Sequence, residues 1–262
     1  MSTTGLYAYA ITRGLDPATA SEQSGIGGRP VRLVEREGLA VVVSEVDLEE
    51  FGEEGLRRNL EDLSWLETVA LAHDDVARFS ASRAPTAPLR LATVFLGEDS
   101  VRAQLAEWHE QAERALDRIE GRTEWSVKAY SDPSARPAPA TTSDDSSSGG
   151  STGEGAGRAY LMQRRAATQR REQTAQEDAR IAEDLHAELA GLATMSQRLA
   201  PQDPKLSGYT GVMILNGTYL LDDAQVERFS KTATDLGERH VHIRLEVGGP
   251  WPPYSFSSLD AS

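Results

Sequence analysis

Hydrophobic and polar positions alternate at the start of the chain, where Leu6, Tyr7, Tyr9 and Ile11 predict a first strand over residues 5–11. Residues 13–30 are rich in Gly, Ser, Thr, Pro and Ala and read as a loop. The apolar runs 31–34 and 39–46 flank Glu35-Arg36-Glu37-Gly38, a hairpin with Gly38 at its turn. From Leu56 the period lengthens. Leu56, Leu60, Leu63, Leu66, Val69, His73 and Val76 recur at three and four, predicting one helix as far as Ala81. Pro85 and Pro88 bracket a turn before a near-continuous apolar strand over 89–96, with Arg90 within it. Such an arginine can keep its head in solvent at the strand's entrance, or serve as a paired structural cation. Val101, Leu105, Trp108, Ala112, Leu116 and Ile119 mark the next amphipathic helix, capped from 97–100 and stopped at Gly121.

The second half repeats this grammar. Residues 123–130 alternate as a strand, with Trp125, Val127 and Ala129 on one face. The run 132–157 is Ser, Thr, Pro, Gly, Ala and Asp with almost nothing apolar, so disorder is expected there. One helix is predicted over 158–195, polar in its first half and carrying the stripe Ile181, Leu185, Leu189 and Leu192 in its second. Asn216-Gly217 between two apolar runs predicts a hairpin. Asp222-Asp223 cap a helix over Val226, Phe229, Ala233 and Leu236 that Gly237 should end, and 241–247 alternates as a last strand. The chain then runs Gly248-Gly249-Pro250-Trp251-Pro252-Pro253-Tyr254-Ser255-Phe256. Three prolines fix φ and remove donors, so this stretch should be stiff, extended and outside any sheet. Its aromatics must pack on the protein's own body or be presented to a partner; a clasp over the C-terminal unit is the favoured reading.

These elements predict an α+β fold of two domains, each an antiparallel sheet with helices on one face. Residues 122–262 carry the β-α-β-β-α-β order of a ferredoxin-like domain, with the insert at 132–157 and the tail at 248–257. Residues 1–121 carry a related order in which the loop at 13–30 stands where the first helix would be, followed by a connecting helix.

Charge and composition narrow the function. A net charge of −14 disfavours nucleic acid and anionic lipid as partners. The absence of cysteine excludes disulfides and thiolate chemistry. The start Met1-Ser2-Thr3-Thr4-Gly5 shows no secretory signal, and no apolar run nears the roughly 18 residues of a membrane span. A cytoplasmic protein that avoids membranes is expected.

Candidate chemistry is sparse. His240 and His242 would share a strand face, but no third ligand stands at a metal spacing, and a polar edge-strand face explains them. His73-Asp74-Asp75 resembles the pair of metal phosphohydrolases without its partners, and reads as a helix histidine beside a solvated acidic pair. The glycine clusters at 25–28 and 149–157 lack the strand-to-helix setting of a phosphate cradle. Glu49, Glu50, Glu53 and Glu54 read as a solvated helix approach. No catalytic residue, cofactor site or metal site is nominated.

Four segments carry a family resemblance: Leu6-Tyr7-Ala8-Tyr9-Ala10-Ile11, the run from Pro88 to Phe95 with Arg90 in it, Tyr160-Leu161, and Gly249 to Phe256 with Pro250, Trp251, Pro252, Pro253 and Tyr254. Together they resemble the GvpL/GvpF family of gas vesicle proteins, and the final run is the specific one. Leu91-Ala92 departs from a more usual Phe-Gly, and the insert at 132–157 is longer than typical. The resemblance implies a non-enzymatic accessory or minor structural protein that binds the shell protein GvpA and other accessory Gvp proteins during nucleation and assembly. It also implies two α+β domains, one of them ferredoxin-like, and a place in the vesicle or its assembly complex. A small-molecule-binding regulatory module built on paired ferredoxin-like units is the alternative, and an enzyme comes third.

Overall fold

A computed structural model describes residues 4–132, 154–202 and 211–258, with backbone only for 154–160. Most of the insert expected at 132–157 lies outside the described residues. Strand β1 (Thr4–Thr12) is buried from Gly5 onward, including every side chain that the alternation placed outside. It lies inside a sheet of order β2-β3-β1-β4, where β2 is Arg32–Arg36, β3 is Leu39–Asp47 and β4 is Thr86–Pro88; β5 (Val94–Phe95) also pairs with β1. The β1–β3 ladder is antiparallel, from Thr4 opposite Asp47 to Thr12 opposite Ala40. The β2–β3 turn has positive φ at Glu37 (51°) and Gly38 (83°), the twist that a two-residue hairpin requires.

The register shifts between Ala8 and Ala10, so Tyr9 is the extra residue of a bulge. Parity changes there. Tyr7, Tyr9 and Ala10 enter one core with Val42, Val46 and Phe51. Leu6, Ala8 and Ile11 enter another with Val41, Val43 and Leu105.

A strand buried on both faces needs cover on both. One face is covered by α4 (Leu63–Ala81), which buries Val69, His73, Val76 and Ala77. The other is covered by α5 (Glu98–Ile119), which buries Val101, Leu105, Ala112, Leu116 and Ile119. Helices on a single face were expected, so this is a correction: the helix read as a connector is the second covering layer. Further sequence readings change here. Before α4 lie α1 (Pro17–Ala20), inside the expected loop, and α2 (Leu48–Phe51) and α3 (Glu53–Asn59). The helix expected from Leu56 to Ala81 is therefore broken. Asp62 restarts it by accepting from the Ser64 and Trp65 N–H groups at 2.9 and 3.3 Å. The strand expected over 89–96 is reduced to β5. Leu89 N–H still donates to the Tyr9 carbonyl and the Thr93 carbonyl accepts from Ala8 N–H, each at 2.9 Å, but residues 90–92 between them leave β1, with Ala92 at φ 63° and its N–H donated to the Tyr7 hydroxyl at 3.0 Å.

The second sheet has the order β7-β8-β6-β9. Its elements are β6 (Arg122–Ser131), α6 (Glu154–Ala190), β7 (Met195–Arg198), β8 (Val212–Asp222), α7 (Val226–Arg239) and β9 (Ile243–Trp251). In α6 residues 161–173 are exposed apart from Ala166, whereas Ile181, Leu185 and Leu189 are buried, as are Phe229, Ala233 and Leu236 of α7. Asn216-Gly217 makes no hairpin and lies inside a continuous β8. The Asn216 side-chain amide donates to the Ala200 carbonyl at 2.8 Å, and the Asn216 main-chain carbonyl accepts from Leu199 N–H at 2.7 Å. The segment after β7 thus occupies the amide that would otherwise favour a turn. Helix α6 stops at Ala190, five residues early, to release β7. Helix α7 passes Gly237, with Arg239 clamped on Glu188 by two bonds of 3.1 and 2.7 Å. The proline run also departs from expectation, because β9 includes Pro250. An edge strand tolerates a proline whose missing donor would face outward, and β9 is an edge.

By contacts the chain divides into one unit of Met1–Trp125, Tyr219–Val226 and Gly248–Ser262 and another of Ser126–Thr218 and Glu227–Val247. The expected division at residue 121 gave the tail to the C-terminal domain; its contacts belong to the first unit instead. Gly249 shows how closely it lies there. A Cβ at this position (φ 138°) would meet the Trp125 ring at 2.9 and 3.0 Å and the Glu124 carbonyl at 3.1 Å. Gly249→Ala is therefore expected to lower stability by about 1–3 kcal/mol, read as a shifted urea midpoint with an unchanged slope.

Candidate functional site

The residues singled out in the sequence meet around β1 and the tail. The Tyr7 and Tyr9 rings meet at 4.9 Å between centroids, tilted by 48°, and each lies 5.7 Å from His73. The Tyr7 hydroxyl accepts from Ala92 N–H and hydrogen-bonds with His73 Nδ1 at 3.0 Å. The Tyr9 hydroxyl accepts from Ile26 N–H at 2.8 Å and bonds with Ser44 Oγ at 2.6 Å. This explains the first glycine cluster. A Cβ on Gly25 would fall 2.3 Å from the Tyr9 hydroxyl, so the loop can close over that ring only with glycine there. Burial pushes both tyrosine hydroxyls above their ordinary value.

His73 lies on α4 as the periodicity predicts, and it is buried in the core beneath Tyr7, while neither Asp74 nor Asp75 is buried. Burial lowers the His73 pKa to about 4, against smaller opposing effects of Asp74 and of the nearby Leu89 carbonyl. Its Nε2 makes no hydrogen bond of good geometry. The signal was present in the sequence, because His73 shares the apolar stripe of Val69 and Val76. Asp74 instead pairs with Arg78, and its Oδ1 accepts from the Tyr254 hydroxyl at 3.4 Å.

The tail is fixed by polar bonds that its own sequence does not reveal. Glu124 is buried in β6 and accepts from Ser255 N–H at 2.8 Å and Ser255 Oγ at 2.6 Å. Burial raises its pKa, with the two Ser255 bonds working in the opposite direction. Arg118 donates to the Phe256 carbonyl at 2.9 Å. Phe256 is 4% exposed and belongs to the α5-covered core, with Pro252 and Pro253 also buried. Pro250 is exposed. Trp251, 38% exposed, lies beneath the Arg78 guanidinium at 4.9 Å, and Tyr254 is 40% exposed with its ring 6.2 Å from His73. Phe95 is half-buried against Trp108. Arg90 is exposed between β4 and β5, outside any strand. Tyr160 lies in α6 and its side chain is outside the described residues.

Beside this cluster is a pocket of about 250 Å³, walled by Pro88, Leu89, Trp108 and Tyr254 and rimmed by Arg90, Thr93 and two serines of the tail. His240 and His242 precede β9 rather than share a face of it, with ring centroids 6.4 Å apart. Among the described residues no group of three or more His, Cys, Asp or Glu could hold a metal ion, and no helix is long and apolar enough to cross a membrane. The tyrosine–histidine network consists of neutral groups held inside a core, an arrangement that fixes β1 and the 89–93 segment against each other.

Residues 5–258 match the model of the gas vesicle synthesis protein GvpL/GvpF family. Gas vesicle protein L of a Streptomyces species is 38% identical over 99% of this chain and 95% of its own length. Gas vesicle protein F of the same organism is 26% identical over 95% of this chain and 98% of its own. The crystal structure of GvpF from Anabaena matches with a TM-score of 0.68 at 21% identity, covering 98% of each chain. That of GvpF from Microcystis aeruginosa matches at 0.63 and 19%, covering 97% of this chain and 99% of that one. The chain belongs to the GvpL/GvpF family of gas vesicle proteins, with the mixed α+β fold of GvpF.

Two outcomes follow from this geometry. Phe256→Ala is expected to cost about 3–5 kcal/mol, and Trp251→Ala less than half as much, because only the first ring is enclosed; chemical unfolding of the two variants checks the order. His73 sets a pH dependence. Its folded pKa lies below the unfolded 6.5, so its contribution is complete above pH 6.5 and is lost as pH falls through about 4. The shift corresponds to something on the order of 3 kcal/mol. Glu124, raised by burial, acts oppositely and loses its contribution as pH rises through its folded pKa. The melting temperature should therefore decline between pH 6.5 and 4, and His73→Gln should flatten that decline.

Proposed function

We propose that this chain is a non-enzymatic assembly factor that binds the shell protein GvpA and other accessory Gvp proteins while gas vesicles nucleate and grow. The observation that carries the reading is the family match along residues 5–258, in which the tail motif joins the N-terminal strand and the 88–95 segment. Shell subunits present apolar surface before they assemble, and a partner of net charge −14 can mask such surface while staying dispersed. The action belongs in the cytoplasm, at the vesicle or its assembly complex.

The two units support a division of labour. The order β6-α6-β7-β8-α7-β9, with β8 and β6 central, is read as a ferredoxin-like module. Its edge strand β7 is exposed at all four residues and can accept an added strand. The first unit repeats the strand order without the first long helix and exposes part of Trp251 and Tyr254. Arginine and aromatic side chains of this kind dominate binding energy at protein interfaces.

Co-expression with GvpA tests the reading. Tagged protein should retain GvpA through purification, and deletion of its gene should stop vesicle formation. Failure to co-purify, together with normal vesicles in the deletion strain, would contradict it.

A further inference from the structure

The buried stripe of α6 continues beyond its covered half. Asp178, Ala182, Leu185 and Leu189 follow one another at spacings of three and four, and all are buried. Continued backwards at the same spacings, the stripe reads Ala175, Arg171, Thr168, Arg164 and Leu161, and all five are exposed. Helical geometry keeps them on the face that packs further along, so a packing face stays open over about 21 Å.

The charge of this face runs against that of the chain. Residues 161–173 hold four arginines and one carboxylate, Glu172, in a protein of net charge −14. Arg164, Arg165, Arg170 and Arg171 are exposed and enter no ion pair among the described residues. Beside Arg170 and Arg171 lies a hollow of about 570 Å³ with Ala175, Ala179, Val212 and Ile214 in its lining. The carboxylate in that lining, Asp178, is buried and accepts from Ser131 Oγ at 3.1 Å.

A complementary face stands on the first unit. Leu63, Glu67, Leu71 and Asp75 recur every four residues along α4 and are exposed, Leu63 at 79% and Leu71 at 61%. Among the described residues neither Glu67 nor Asp75 enters an ion pair, and Arg78 of the same helix is held by Asp74. The spacings agree: Glu67 and Asp75 are about 12 Å apart along α4, and Arg171 and Arg164 about 10.5 Å along α6.

We propose that the chain associates head to tail with copies of itself, the outer face of α4 in one copy packing on the open stripe of α6 in the next. In antiparallel register Leu63 falls at Ala175 and the hollow, Glu67 at Arg171, Leu71 at Thr168 and Asp75 at Arg164. Acidic and basic side chains then alternate with apolar contacts along one helix pair. Because the two faces differ, every added copy leaves one of each kind free, and the contact propagates instead of closing as a two-fold dimer. This inference goes beyond the assembly reading and needs no shell protein for its test.

Sedimentation velocity of the full-length protein, from micromolar to near-millimolar concentration at low salt, is the measurement. The sedimentation coefficient should rise with concentration past that of a dimer, and high salt should suppress the rise. Arg164→Glu combined with Arg171→Glu should weaken association about tenfold or more, as should Glu67→Arg combined with Asp75→Arg. All four positions are exposed, so melting temperatures should stay close to that of the parent. An equal mixture of the two variants should associate again, because each supplies the face that the other lacks; variants with damaged folds would not recover. The inference is overturned if the parent is monomeric at every concentration, if growth stops at a dimer, if charge reversal changes nothing, or if the mixture of folded variants stays monomeric. It also falls if the protein stays monomeric while α6 binds a helical peptide carrying the Leu-Glu-Leu-Asp pattern at four-residue spacing, since the stripe would then serve a different partner. Retained capture of GvpA by a monomeric protein would remove self-association and leave the assembly reading standing.

Discussion

Strand β1 has solvent on neither face, and the rest of the first unit follows from that constraint. A central strand buried on both sides needs two covering layers, and α4 and α5 provide them. It also needs every polar group beneath those layers to be matched. Tyr7 and Tyr9 bring hydroxyls into the core, and these are met by Ala92 N–H, His73, Ile26 N–H and Ser44. Each match fixes a different part of the chain. The 89–93 segment, the 25–28 loop, β3 and α4 are all positioned by two phenolic oxygens. The bulge at Tyr9 makes this possible, because it sends Ile11 to the opposite core without turning the strand out of the sheet.

The tail meets the same requirement at the unit's other side. Phe256 completes the core beneath α5, and Pro252 and Pro253 are buried beside it. The bonds that hold this stretch are a buried carboxylate gripping one serine twice and an arginine gripping one carbonyl. What stays outside is selective: one face of Trp251 under Arg78, part of Tyr254, and the pocket next to it. A segment that looks like a free ligand in sequence is thus mostly architecture, with a limited exposed remainder available for recognition.

Alternation and period made most elements legible: β1, the β2–β3 hairpin, α5, β6 and the core stripe of α6 lie where the pattern puts them. The failures have distinct physical causes. A bulge changes parity without changing composition, so Tyr9 could not be told from a regular strand position. An apolar run such as 89–96 has the composition of a strand, yet only Leu89 in it is buried and Leu91 and Leu96 are exposed, because the chain turns out of the sheet at Ala92. Asn216-Gly217 has turn chemistry, but a neighbouring segment takes the asparagine amide. Pro250 is excluded from sheets only where its nitrogen must donate, and at an edge it need not. Of the candidate site, the aromatic tail and the two tyrosines were visible. Glu124 was not, because nothing near it in sequence announces a partner 131 residues away. His73 was visible as a member of the apolar stripe, beside an acidic pair of which neither member is buried.

Amide hydrogen exchange on the full-length protein tests the central claim, that the tail is an integral part of the first unit, most directly. The account predicts that the Ser255 and Phe256 amides, held by Glu124 and by the Pro253 carbonyl, exchange with protection comparable to that of β1. Exchange of both amides at the rate of an unstructured chain, with β1 still protected, would contradict it.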